Sequence, residues 1–165
     1  MDLRNIKMVV SEIDGVITDG TVGFGEFNTP IFKKFCLKDF EAINLIKKTT
    51  SFGFISSDAS INISMCKKRN IPFFFSEKNK MDVYTNNILR RFGLLPDNIL
   101  YVGYSYSDIE CLRISGFSAC PEDAPEKVRN SADYVIPVYG GSGVLCYLCE
   151  LLHDNIPIVG ETNNQ

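Results

Sequence analysis

The chain has 165 residues, of which 45% are hydrophobic and 22% charged, and its formal net charge is −3. Such a composition supports one sizeable core and excludes intrinsic disorder. The mild negative charge gives no electrostatic basis for binding nucleic acid or an anionic membrane, and no apolar run is long enough to span a bilayer.

Residues 6–13 (IKMVVSEI) form an apolar run ending in acid, which predicts a buried parallel strand and not a signal peptide. A glycine turn, GVITDG, follows at 15–20. Residues 21–37 alternate loosely around Gly25 and Asn28-Thr29-Pro30 and predict a β-hairpin. Residues 39–50 predict a helix with Asp39 as its candidate cap. A second buried strand is expected over 51–57 (SFGFISS), a helix over 59–69 and a short strand over 72–75. A helix over 80–92 closes at Gly93. Residues 98–103 (NILYVG) predict the third main strand and 107–115 a helix. A strand over 117–120, a helix over 125–131 and a strand over 134–136 come next. The glycine loop 140–143 leads into a last helix over 144–153. The stretch 154–165 reads as a mobile polar tail, leaving 1–153 as one domain. Strands alternating with helices imply an α/β fold with a mostly parallel sheet. In such sheets the ligand crevice lies at the carboxyl ends of the strands.

Three of those ends carry polar residues. Glu12 and Asp14 fall where the first strand breaks into a glycine turn. Two carboxylates held close there can bind a hard cation such as magnesium, or divide nucleophilic and proton-transfer work. Ser56 and Ser57 follow the second strand, where hydroxyls and a helix N-terminus could hold phosphate; capping by Ser57, Asp58 or Ser60 is the alternative. Lys80 opens a helix and could reach a phosphate as a point charge, or lie on the surface. Asp108, after the third strand, is a helix cap or a carboxylate facing Asp14. The six cysteines read as reduced thiols, and Cys146 and Cys149 share one apolar helix face.

The order of these features resembles the four motifs of the haloacid dehalogenase superfamily: DGVITDG after one strand, Ser after the next, KNK opening a helix, and VGYSYSD after a third strand. The likeness extends to IDGVITDGTVGFGE, FKKFCLKDFEAINLIKK and YGGSGVLCYLCELL, which resemble the cap-less 3-deoxy-manno-octulosonate 8-phosphate phosphatases. The stretch SDIECLRISGFSACPEDA is most similar to versions associated with CMP-sialate synthetases. The resemblance implies a Rossmann-like fold with helices on both faces and a hairpin in place of a cap domain. It implies Glu12 at the nucleophile position and Asp14 at the acid/base position. Ser56, Ser57 and Lys80 would hold phosphate, and Glu12, Asp14 and Asp108 would hold magnesium. It further implies a homotetramer built through the hairpin 21–37 and a sugar-acid cytidylyltransferase as partner, while the reduced cysteines predict a cytoplasmic location.

Several residues depart from that pattern. Glu12 is one methylene longer than the expected aspartate, and Tyr104 and Ser105 replace two acids. Asp58, Ser142 and Cys146 stand where relatives carry arginine. A neutral phenol is a poor substitute for a carboxylate, and a nucleophile misplaced by about 1 Å can cost on the order of 100-fold. The sequence therefore predicts a phosphatase-like protein of acidic-sugar metabolism that is weak or inactive and acts as an oligomerising or partner-binding module. The alternative is an active magnesium-dependent phosphomonoesterase acting on a 2-keto-3-deoxy sugar acid phosphate.

Overall fold

Strand β1 (Met8–Ser11) is buried along its whole length, as its apolar run requires. In the structure, a computed structural model that describes residues 3–155, it forms the centre of the main sheet. Strands β4 (Ser51–Ser56) and β6 (Ile99–Val102) pair with it on either side, both parallel. Strand β5 (Phe73–Phe75) extends the sheet beyond β4, and β7 (Phe117–Pro121) and β8 (Tyr134–Ile136) extend it beyond β6. The order is β5-β4-β1-β6-β7-β8, with every pairing parallel. The α/β fold with a parallel central sheet is thus as the sequence predicts.

Side chains alternate across the sheet and feed two cores. Val9, Phe52, Phe54, Leu100 and Val102 pack on one face, under helices α1 (Leu37–Ile46) and α6 (Val144–Asn155). Met8, Val10, Ile55, Ile99 and Tyr101 pack on the other, against the helix that starts with α3 (Lys80–Val83) and against α4 (Ile109–Ile114). Helices α2 (Ser60–Lys68) and α5 (Glu126–Arg129) complete the crossovers. Between β1 and α1, strands β2 (Gly23–Phe24) and β3 (Pro30–Phe32) form a separate antiparallel pair, the expected hairpin. No helix among the described residues is long and apolar enough to cross a membrane.

Three local expectations change. The helix expected over 80–92 begins as α3 and continues as a π-helix, Tyr84–Arg90, which turns Tyr84 and Ile88 into the core. Asp39 does not cap α1, whose cap residue is Cys36. Instead, from inside α1, its Oδ1 accepts hydrogen bonds from Leu145 N (2.8 Å) and Cys146 N (3.0 Å), so it caps α6. The last helix reaches Asn155, two residues beyond the expected end. The rest of the expected tail, 156–165, lies outside the described residues.

Candidate active site

The first loop leaves β1 with Glu12 almost fully buried and Asp14 27% exposed at its side chain. Glu12 Oε1 accepts a hydrogen bond from Ile13 N at 2.9 Å, which orients the carboxylate. Its Oε2 pairs directly with Lys80 Nζ. The same ammonium lies 2.6 Å from Asp108 Oδ1. Lys80 is 3% exposed at its side chain, so the surface reading of this lysine is overturned. Asn79 accepts from Met81 N and Asp82 N and caps α3, which starts the helix with Lys80 facing inward.

One ammonium therefore serves two buried acids. Burial favours the neutral form of a carboxyl and a neighbouring cation favours the charged form. Asp108 stays below the usual carboxylate range: Lys80, Ser105 and Tyr101 outweigh its burial. Glu12 is the acid left in excess, and burial pushes it up to about 7 against the pull of Lys80. Lys80 stays charged, because Glu12 and Asp108 together outweigh its desolvation.

Asp108 is closed off by protein donors. Oδ1 also accepts from Tyr101 OH at 2.7 Å. Oδ2 accepts from Tyr104 N (3.0 Å), Ser105 N (2.8 Å) and Ser105 Oγ (2.8 Å). With Lys80, five donors fill the lone pairs that this carboxylate offers. The Tyr104 ring lies over the first loop: a Cβ on Gly15, whose φ is +82°, would fall 2.1 Å from it. Burial first, and then Asp123 and Asp19, raise the Tyr104 hydroxyl, so it remains a neutral phenol.

Asp14 belongs to a second cluster. Lys33 Nζ, arriving just after β3, lies 2.8 and 2.9 Å from its two oxygens. Asn62 Nδ2, from α2, donates to Asp14 Oδ2 at 3.0 Å and to Ser56 Oγ at 3.3 Å. Lys33 Nζ also meets Asp58 Oδ2 at 2.5 Å. Asp58 Oδ1 accepts from Ser60 N and Ser60 Oγ, and its carboxyl lies below the usual range, because Lys33 and Ser60 outweigh its partial burial. Ser56 is buried at the end of β4, whereas Ser57 is exposed at the rim. The loop 140–143 packs on the first loop from the other side, where a Cβ on Gly140 would fall 2.2 Å from Gly15 O. Next to it is a cavity of about 280 Å³ lined by Asp19, Lys34, Phe35 and Gly140, Gly141 and Ser142.

The structure thus brings Glu12, Lys80 and Asp108 together directly, and Asp14 and Ser56 together through Asn62. Sequence reasoning missed Lys33, Asn62 and Tyr101. The first lies in the hairpin, inside the stretch FKKFCLKDFEAINLIKK that carries part of the likeness but singles out no one lysine, and the second lies inside a helix. Tyr101 alternates with Leu100 and Val102 on a buried strand and so reads as core.

Of the expected metal set, Glu12 and Asp108 pair with Lys80, and Asp14 pairs with Lys33. Asp108 has no lone pair turned to a ligand, and Tyr104 offers a neutral oxygen. Among the described residues, no group of three or more His, Cys, Asp or Glu side chains could hold a metal ion.

No family model matches the chain. Among curated proteins it is 25% identical over 162 residues to the 3-deoxy-D-manno-octulosonate 8-phosphate phosphatase KdsC of Haemophilus influenzae, covering 91% of this chain and 84% of that one. It is 25% identical over 151 residues to the phosphatase of the same name from Escherichia coli K12, covering 90% and 80%. Among solved structures, the cobalt-bound form of the Haemophilus influenzae phosphatase matches with a TM-score of 0.85 and 25% identity, over 94% of this chain and 92% of that one. The Moraxella catarrhalis phosphatase in complex with magnesium, phosphate and KDO matches with a TM-score of 0.84 and 21% identity, over 93% and 88%. At that identity the second likeness is one of fold.

Proposed function

The chain belongs to the haloacid dehalogenase superfamily, with its likeness on the octulosonate phosphatase branch, and on that premise we propose that it hydrolyses the phosphomonoester of a 2-keto-3-deoxy sugar acid. The observation that carries this reading is a pair of clusters, Glu12 with Lys80 and Asp14 with Ser56 through Asn62, at the carboxyl ends of the adjacent parallel strands β1 and β4. Likeness to octulosonate phosphatases over nine tenths of the chain supports it.

In this reaction Ser56 Oγ and Lys80 Nζ hold phosphoryl oxygens. Glu12, as a carboxylate, attacks phosphorus in line, forming a P–O bond while the bond to the sugar oxygen breaks. Asp14 gives its proton to that departing oxygen. Water then attacks phosphorus, Asp14 takes its proton, and the Glu12 carboxylate is released with inorganic phosphate. The reaction belongs in the cytoplasm, where sugar phosphates are made.

A second reading is favoured by one observation, the closure of Asp108 by protein donors with Tyr104 over the first loop. In that reading the crevice binds its ligand with little or no turnover. The chain then acts as an oligomerising module, a tetramer that docks a sugar-acid cytidylyltransferase. One assay separates the two. Purified protein is incubated with a panel of 8- and 9-phosphorylated 2-keto sugar acids, and phosphate release is followed. Turnover that disappears in Asp14→Asn supports hydrolysis. Binding of the sugar phosphates without turnover supports the second reading.

A further inference from the structure

Asn62 lies in the first turn of α2 and is fully buried. An amide taken out of water is costly unless its hydrogen bonds are remade. Here both donors and the carbonyl are engaged, by groups from three other segments. Nδ2 donates to Asp14 Oδ2 at 3.0 Å and to Ser56 Oγ at 3.3 Å, and Oδ1 accepts from Lys33 Nζ at 3.4 Å. These partners fix which way the amide faces. Turned over, it would set its carbonyl oxygen against a carboxylate and its two hydrogens against an ammonium. The consequence falls on Ser56. A hydroxyl offers one proton and two lone pairs. Ser56 Oγ accepts from Asn62 Nδ2 and from Asp58 N, the latter at 3.2 Å, so both lone pairs are used. Ser56 is 1% exposed, and no hydrogen bond among the described residues takes its proton. A buried hydroxyl held in this state can only donate.

We propose that Asn62 is a positioning residue that makes Ser56 an obligate donor to a phosphoryl oxygen, so that the crevice takes its ligand as the ionised phosphomonoester. The proposal deepens the proposed function and rests on its phosphate-binding reading. The oxygens of an ionised phosphoryl group are strong acceptors, and a hydroxyl that can only donate is their complement. In this scheme Asn62 touches neither phosphorus nor the departing oxygen. It acts through Ser56, and through Asp14, whose Oδ2 it holds beside Lys33. Without the amide, Ser56 Oγ is held only by Asp58 N, and its proton no longer has one direction.

The test reads the affinity of the whole chain for orthophosphate by calorimetry. Magnesium is kept in excess, since the Moraxella catarrhalis relative was solved with magnesium and phosphate together. Wild type, Asn62→Leu, Ser56→Ala and the double variant are compared. Asn62→Leu removes the amide at nearly constant volume and should weaken phosphate binding by about tenfold, the worth of a hydrogen bond to a charged group. Because Asn62 acts through Ser56, the double variant should bind no more weakly than Ser56→Ala alone. Asn62→Asp keeps the size and the contact with Lys33 but meets Ser56 with an acceptor, which takes the proton. It should also lose affinity, and lose more with Ser56 present than in Ser56→Ala; repulsion by the added charge would persist in both backgrounds. Losses of equal size with and without Ser56 are the signature of a packing role and overturn the proposal. A folded Asn62→Leu that binds phosphate as the wild type does overturns it too. If Asn62→Leu does not fold, the Asn62→Asp cycle decides in the same way. A folded wild type that binds no phosphate overturns the phosphomonoester reading itself, and this proposal with it.

Discussion

Glu12 is where burial and charge pull hardest against each other. Its carboxyl ordinarily titrates at 4.5 and is pushed up to about 7, chiefly by burial. A raised value means that the folded chain holds this proton more tightly than the unfolded chain. Its contribution to stability is therefore complete below about pH 4.5 and is lost as pH rises towards 7. The upper limit is roughly 3 kcal/mol, since each tenfold change in proton affinity is worth about 1.4 kcal/mol. Urea unfolding at pH 5 and pH 8 should show wild type losing stability across that window and Glu12→Gln losing much less. An equal loss in the variant would remove Glu12 as the source. In the hydrolytic reading, turnover needs the carboxylate form and should rise through about pH 7. A rate that is flat from pH 6 to 8, or falls across it, would deny Glu12 the nucleophile's role. Glu12, Asp14, Ser56 and Lys80 were legible in the sequence because each follows or opens an element with a recognisable pattern. Lys33, Asn62 and Tyr101 were not, because their partners lie 19, 48 and 7 residues away and only the folded chain joins them.

At the scale of elements, the sequence was most informative for the buried parallel strands. β1, β4 and β6 are runs of apolar residues that match the expected segments to within two residues at each end. The ends of helices were less legible. Asp39 has the position of a local cap, yet it is fully buried and caps the start of α6, a contact 106 residues away. Its Oδ2 has no hydrogen-bond partner among the described residues, and burial raises its carboxyl above the usual range. Asp39→Ala should destabilise the fold by about 1–2 kcal/mol, the range for losing an N-cap. Asp39→Asn should cost less, because its amide oxygen can still accept from Leu145 N and Cys146 N. Equal unfolding midpoints for wild type and Asp39→Ala would show that the cap contributes nothing. The π-helix at Tyr84–Arg90 carried no signal in the sequence, since its residues also read as an ordinary amphipathic helix.

For the whole molecule, the hairpin is the feature that one chain leaves incomplete. Phe27 is 96% exposed and Ile31 60%, with Phe24 and Phe32 more than half exposed beside them. Phe27 has a φ of +60°, a conformation that a bulky side chain rarely adopts, and it holds the ring outward at the tip. Four exposed large apolar side chains on one short hairpin call for a partner. Sedimentation should therefore show an oligomer at micromolar concentration, and a smaller species for Phe27→Asp combined with Ile31→Asp. A wild-type monomer would oppose this role for the hairpin. The fold class was legible from alternating strands and helices, and so was the hairpin's load of Phe24, Phe27, Ile31 and Phe32 as an apolar patch needing cover, with packing of the rings on their own sheet as the alternative. Every functional statement depends on phosphate entering between the ends of β1 and β4. Anomalous diffraction from crystals soaked in tungstate, a heavy phosphate mimic, tests that entry directly. A peak within contact of Ser56 and Lys80, beside Glu12, is the expected outcome. A crevice without density, or tungstate bound only elsewhere on the surface, would contradict it.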